Sequence, residues 1–154
     1  MSAGSKRPIG DVYNQGSQRT NSILGYLLLS LECAGYEVET IQIIRGDKVV
    51  NNPTEIDNSE MFGLKFAKTK VDKLLIEDKP EFLPSDLGIV ASTDKGKVTI
   101  TFDPERFRPV EVPILLTSTA KIRQLGFKTN HSLKDIITDQ LNYYSDPTGK
   151  HSFL

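Results

Sequence analysis

The clearest helical pattern of apolar residues lies near the start of this chain. Four leucines recur at a spacing that places them on one helix face: Leu24, Leu27, Leu28 and Leu31. The pattern predicts a helix over residues 23–34, with Thr20, Asn21 or Ser22 as its N-terminal cap and Gly35 at its end.

Strand-like alternation appears in two places. Residues 37–44 alternate, with Val38, Thr40 and Gln42 opposed to Glu39, Ile41 and Ile43. Residues 88–102 predict a β-hairpin whose arms, 89–93 and 98–102, flank a turn in which Gly96 adopts a positive φ. A short strand is also predicted at residues 11–13.

The region between these strands is more polar than its neighbours. Residues 45–60 are polar and predict a long connection without regular structure. Residues 66–78 predict a helix with Val71, Leu74 and Leu75 facing inward. Four lysines crowd its other side: Lys65, Lys68, Lys70 and Lys73. A solvated face is one interpretation of these lysines, and attraction of an anion is the other.

The C-terminal part predicts an apolar segment (112–116) followed by two helices. The first is capped by Ser118 or Thr119 and stops at Gly126. The second begins with a capping box at residues 132–135 and continues to residue 144. Its predicted buried side chains are Leu133, Ile136, Ile137, Leu141 and Tyr144. Together the patterns predict a mixed α/β (α+β) fold, with a small sheet that includes a β-hairpin and about four helices. We expect a disordered start (1–10), one domain (11–145) and a flexible tail (146–154).

Composition and charge narrow the function. With 19 basic and 20 acidic residues the net charge is −1, so we expect neither nucleic acid nor a membrane as partner. The longest apolar run, residues 26–29, is too short to span a bilayer, and residues 1–10 have no apolar centre. We therefore expect a cytoplasmic protein.

The residue types that usually carry catalysis are scarce. Cys33 is the only cysteine and lies on the predicted apolar helix side, where a packed thiol is favoured over a reactive one. His131 and His151 lack metal-ligand spacing. The motifs GxGxxG, YxxxK, GxSxG and HExxH do not occur. We expect this chain alone to be inactive and to bind no cofactor or metal.

One charged loop stands out, the sequence FDPERFRPVEVP at residues 102–113. Its three prolines restrict the backbone, so Arg106 and Arg108 are displayed with little freedom. A fixed guanidinium suits a phosphate, and a carboxylate such as Glu111 accepts hydrogen bonds from sugar hydroxyls. The alternative is a surface loop whose arginines pair with its own acids.

This loop also carries a family resemblance. Residues 103–112 match a DPxxFRPxEV motif, and Ser118, Thr119, Lys121, Leu125 and Gly126 match STxKxxxLG. Residues 11–23, DVYNQGSQRTNSI, are similar to VYNxGSGxxxSI, with Gln18 in place of a glycine. These segments resemble the C-terminal part of extended short-chain dehydrogenase/reductases (the NAD-dependent epimerase/dehydratase family), most closely GDP-mannose 4,6-dehydratases. The resemblance covers about half of the chain.

The resemblance implies particular roles. Arg108 would contact the phosphates or ribose of a nucleotide sugar, Glu111 would contact ribose hydroxyls, and Arg106 is a weaker candidate. Complete members hold NAD(P) in a preceding Rossmann half with a glycine loop and a Tyr/Lys pair, and this sequence contains neither.

Two hypotheses follow from that difference. In the first, the chain is the substrate-binding C-terminal domain of an NAD(P)-dependent nucleotide-sugar dehydratase, a lyase. In the second, it is a non-catalytic interaction module that pairs with a separate Rossmann subunit or with itself as a homodimer.

Overall fold

The chain folds into four α-helices and two small antiparallel sheets over the part that the structure describes. This structure is a computed structural model that describes residues 10–17, 19–43, 45, 48–61, 64–83, 85–86, 88–106 and 114–146. The helices are α1 (Ile23–Cys33), α2 (Lys70–Glu77), α3 (Ala120–Arg123) and α4 (Leu133–Ser145). The strands are β1 (Val38–Ile43), β2 (Lys48–Asn51), β3 (Ile56–Met61), β4 (Leu64–Thr69), β5 (Ile89–Thr93) and β6 (Gly96–Ile100). The predicted mixed α/β fold with a small sheet and about four helices is confirmed.

The larger sheet has the strand order β2-β1-β5-β6, and all neighbours are antiparallel. Its β5–β6 hairpin is the predicted one, and the last paired residues are Thr93 and Gly96. Gly96 has φ +118°, a conformation that glycine adopts without steric cost. The hairpin and the positive φ of Gly96 are therefore confirmed. The second arm is corrected, because β6 begins at Gly96 and ends at Ile100, two residues earlier at each end than the predicted 98–102.

Strand β1 departs from the predicted alternation. Its pairing with β5 shifts register between Val38 and Thr40. An extra residue in one strand changes which face the following side chains occupy. Val38 and Ile41, three positions apart, are consequently both buried in the core.

The smaller sheet, β3 paired with β4, corrects two predictions. Residues 45–60 were predicted to be a connection, yet they contain β2 and most of β3. Residues 66–69 belong to β4, so the helix predicted at 66–78 begins only at Lys70. The strands are too polar for apolar alternation to reveal them, and the ladder satisfies their backbone groups instead.

The core lies between α1, α2 and the larger sheet. Its buried apolar members are Leu24, Leu28, Val38, Ile41, Val71, Ile89 and Ala91. Leu31, Leu74 and Leu75 pack against them partly buried, which confirms the inward face predicted for α2. Leu27 is a correction, since it is 39% exposed, and Leu29, which the pattern missed, is buried.

Helix α4 packs on α1, and its predicted capping box is confirmed. The Ser132 hydroxyl accepts from Asp135 N–H, and the Asp135 carboxylate accepts from Ser132 N–H. The predicted buried face is largely wrong, because α4 buries only Ile137 and leaves Ile136 and Tyr144 exposed. Contact with one neighbouring helix buries a narrower stripe than a helix in a closed core does.

Residues 11–13 do not form the predicted strand. They lie beside α3, where Lys121 Nζ bonds to Asp11 Oδ1 (2.6 Å) and to the Val12 carbonyl (3.1 Å). The same ammonium lies 4.8 Å from the centre of the Tyr13 ring. Val12 is 81% exposed, and neither of the two sheets formed by the described residues includes this segment. Among the described helices, none has the length and apolar character needed to cross a membrane.

Candidate functional site

The predicted site residues fall at the end of the β5–β6 hairpin. Arg106 lies in a single 3₁₀ turn, Pro104–Arg106, whose start is held by Asp103. The Asp103 carboxylate accepts from Glu105 N–H (3.1 Å), and the Asp103 carbonyl accepts from Arg106 N–H. Arg108 and Glu111, the two stronger candidates, lie outside the residues that the structure describes.

The Arg106 guanidinium is held only loosely. Its Nε lies 3.6 Å from Asp103 Oδ2, and the side chain is 87% exposed. An ion pair this long and this exposed contributes little and leaves the guanidinium available to another anion. Arg106 is the loop arginine that the structure describes. Its contact with Asp103 agrees with the alternative in which the loop's arginines pair with its own acids.

An apolar cleft of about 640 Å³ opens beside Asp103 and Arg106. Ile23, Leu24 and Leu27 of α1 form one wall, and Phe82 and Phe102 form another. The two phenylalanine rings meet edge to face, with centroids 5.1 Å apart. Mostly apolar walls with a few polar groups at the rim are typical of small-molecule sites.

A second cleft, of about 790 Å³, lies at the start of α1, and we call it the helix-start cleft. Its polar lining comes mainly from Arg19, Thr20, Asn21, Ser22 and Lys79, and its apolar lining includes Ile114 and Leu115. Ile23 and Leu75 line both clefts, so the two adjoin at the first turn of α1.

Asp72 joins the starts of two helices at the base of the helix-start cleft. Its Oδ1 accepts from Ser22 N–H (2.7 Å) and the Ser22 hydroxyl (2.6 Å), at the cap of α1. Its Oδ2 accepts from Thr69 N–H (3.2 Å) and the Thr69 hydroxyl (2.7 Å), at the cap of α2. The side chain is only 1% exposed. We call this arrangement the Asp72 clasp.

The clasp requires a glycine on the facing helix. A Cβ at Gly25 would lie 2.7 Å from Asp72 Oδ1, inside van der Waals contact. Gly25 N–H also donates to the Ser22 hydroxyl, at 2.9 Å. The absence of a side chain at Gly25 therefore lets α1 approach the carboxylate.

Three of the four lysines predicted on the α2 side are paired rather than free, and the side chain of the fourth, Lys65, lies outside what the structure describes. Lys70 Nζ meets Glu55 at 2.5 Å, Lys73 meets Asp57 at 2.7 Å, and the buried Lys68 meets Glu77 at 2.9 Å. The hydrogen bond from Lys73 lowers the pKa of Asp57, and the same bond raises the pKa of Lys73. Lys68 is only 1% exposed, so its side chain is buried and does not belong to a solvated face as that interpretation required. Each of these three ammonium groups already pairs with a carboxylate. The interpretation that these lysines attract an external anion therefore has no support.

The described residues offer no support for a metal site or for a nucleophilic cysteine. They contain no group of three His, Cys, Asp or Glu side chains placed to hold a metal ion. Cys33 is a free, partly buried thiol whose Sγ lies 3.8 Å from the Lys134 carbonyl, consistent with a packed role.

Neither the Asp72 clasp nor the helix-start cleft was predicted from the sequence. Thr69-Lys70-Val71-Asp72 does fit the T-x-x-D form of a capping box, so half of the clasp was readable from the sequence. Its other half joins residues 50 positions apart, which no local pattern records. The chain matches no protein-family model, no curated protein and no solved structure.

Proposed function

We propose that this chain is the substrate-binding C-terminal part of an extended short-chain dehydrogenase/reductase of the GDP-mannose 4,6-dehydratase type. It would grip the nucleotide end of a nucleotide sugar through Arg108, Glu111 and Arg106. The sequence motifs at residues 11–23 and 103–126 are the basis of this proposal.

One structural observation supports it best: the exposed Arg106 guanidinium lies at the rim of an apolar, aromatic-walled cleft. A nucleotide combines a flat base with a charged diphosphate. Apolar and aromatic walls such as Phe82 and Phe102 suit the base, and a rim guanidinium suits the phosphate.

The complete enzyme would oxidise the sugar at C4 by hydride transfer to NAD(P), eliminate water across C5–C6 and return the hydride. This chain would supply binding and orientation alone, with NAD(P) held by a Rossmann half. We therefore expect weak affinity for a GDP-sugar and no turnover.

Chemical-shift perturbation in an ¹⁵N-labelled sample titrated with GDP-mannose tests the proposal. We expect shifts at Phe102, Asp103 and Arg106, and loss of binding in Arg108→Ala. Lys97→Gln, an exposed lysine on β6, is the matched control and should bind as the wild type does. Binding that is clear but indifferent to Arg108→Ala and Arg106→Gln would remove this loop from the site.

A second function is an interaction module that pairs with a Rossmann subunit or with itself. Exposed apolar side chains next to the clefts favour it: Ile23 is 82% exposed and Leu115 is 86% exposed. Sedimentation velocity should then show a dimer that Ile23→Lys dissociates. A strict monomer at high concentration would contradict self-association.

A further inference from the structure

Thr20, which lines the helix-start cleft, has a side-chain oxygen without a hydrogen-bond partner. Thr20 is 9% exposed, and its Oγ1 is the one buried side-chain oxygen or nitrogen without a partner in the described part of the chain. A buried hydroxyl left unpaired costs free energy, so it calls for an explanation, and a bound molecule that pairs with it is one. The orphan hydroxyl is the first sign of a missing ligand.

The cations of this cleft are also unpaired. Most described lysines and arginines meet a carboxylate, as Lys48, Lys70, Lys73, Lys121 and Lys134 do. Arg19 and Lys79 meet none among the described residues, and both line the helix-start cleft. Two free cations at one cleft attract an anion.

The backbone adds further donors at the same place. Helix α1 is 11 residues long, and the N–H groups of its first turn have no acceptor within the helix. Gly25 N–H is taken by the Ser22 hydroxyl, which leaves the N–H of Ile23, the first residue of α1 and one that lines the cleft. Helix starts of this kind bind anionic groups.

Asp72 is the opposing charge, and it does not cancel the site. Both of its oxygens are occupied by the caps of α1 and α2, and the side chain is buried. Its single negative charge is set against two cations, Arg19 and Lys79. The local balance at the cleft remains positive.

The rest of the lining indicates what else the ligand carries. Leu75, Ile76, Pro80, Ile114 and Leu115 give the cleft an apolar side. A ligand that fits both sides has one anionic group and an apolar or planar body.

We propose that the helix-start cleft binds a phosphate ester, with the phosphate held by Thr20, Arg19, Lys79 and the first turn of α1. The organic part of the ester lies against Leu75, Ile76, Pro80, Ile114 and Leu115. This site uses none of the polar groups at the Arg106 rim, so it does not depend on the function proposed above.

Titration of the ¹⁵N-labelled chain with phenyl phosphate tests the site, and inorganic phosphate and phenol separate the two parts of the ligand. We expect phenyl phosphate to shift the amides of residues 20–24 and 79. Inorganic phosphate should shift the same amides with weaker affinity, phenol should bind least, and added salt should weaken both phosphate probes. Shifts confined to Phe102 and Arg106 would overturn the proposal.

Three substitutions localise the binding. Thr20→Val keeps the side-chain shape and removes the hydroxyl, and we expect about tenfold weaker phenyl phosphate binding, since a hydrogen bond to a charged group is lost. Its melting temperature without ligand should be unchanged or higher, because an unpaired buried hydroxyl has gone. Arg19→Gln and Lys79→Gln, both at exposed positions, should each weaken binding similarly without affecting folding.

Matched controls separate this site from the proposed nucleotide-sugar site. Lys97→Gln and Arg106→Gln should leave phenyl phosphate binding unchanged, whereas Arg106→Gln should weaken GDP-mannose binding. Wild-type affinity in Thr20→Val together with Arg19→Gln and Lys79→Gln would overturn the phosphate site and leave the nucleotide-sugar proposal standing.

Discussion

Two carboxylates, Asp72 in α2 and Glu55 in the bend before β3, both accept hydrogen bonds, but one is buried and the other is exposed. Asp72 is 1% exposed and accepts four hydrogen bonds that join the starts of α1 and α2. Glu55 has a 56% exposed side chain and accepts from one amine, Lys70, at 2.5 Å. The shorter distance belongs to the exposed pair.

The difference shows that burial and the number of donors, rather than contact length, decide how much a carboxylate contributes. In water the Glu55–Lys70 attraction is screened, and both partners keep good solvation when it breaks. At Asp72 no water replaces the lost acceptor, so every donor around it would become unsatisfied.

Neutralising each carboxylate with its isosteric amide tests this contrast. We expect Asp72→Asn to lower the free energy of unfolding by about 3 kcal/mol, because an amide NH₂ would face hydroxyl and N–H donors. Glu55→Gln, the matched control, should change it by no more than about 0.5 kcal/mol. Urea denaturation measures both, and equal effects would show that burial does not separate them.

Adding a methyl group at Gly25 of α1 tests how tightly the Asp72 clasp is packed. Gly25→Ala gains about 1 kcal/mol of helix propensity, yet its Cβ would lie 2.7 Å from Asp72 Oδ1. We expect a net loss of about 2 kcal/mol, since overpacking a buried contact outweighs the propensity gain. A stabilised Gly25→Ala variant would show that the clasp has room to move.

Lowering the pH tests the exposed ion pair between Asp57 and Lys73, because the pKa of Asp57 is shifted. The hydrogen bond from Lys73 lowers the pKa of Asp57 below its ordinary 3.8, so the folded state binds this proton less readily than the unfolded chain. The stabilising contribution is therefore fully present above about pH 4 and is lost as the pH falls through the lowered value.

The measurement compares wild type with Asp57→Asn in urea at a series of pH values. The stability difference between them should shrink toward zero on acidification, and Lys97→Gln should run parallel to the wild type. A gap that stays constant down to strongly acidic pH would contradict the assignment.

The parts of the fold that could be predicted are those whose signals are local. Ser22 caps α1 and Ser132 caps α4, as the sequence predicted, and the positive φ of Gly96 was predicted together with its hairpin. Strands β3 and β4 escaped prediction because they are defined by their pairing with each other, which the local sequence does not record. The shift at Val38 escaped because a bulge is defined by the opposite strand.

The candidate sites likewise include residues that the sequence indicated and residues that it did not. Arg106 was identified from its loop, and the structure adds the apolar cleft beside it, formed by α1, α2 and the hairpin together. Thr20, Arg19 and Lys79 had no local pattern, because the cleft they share joins segments about 60 positions apart in the chain. Only the packing of α1 against α2 brings them together.

The Asp72 clasp also sets an order of events during synthesis. Ser22 is translated 50 residues before Asp72. At ribosomal speeds of roughly 5–20 residues per second, the nascent α1 waits some seconds for the carboxylate that completes its cap. The start of α1 is therefore secured only after α2 has been made, so the two helices complete their caps together.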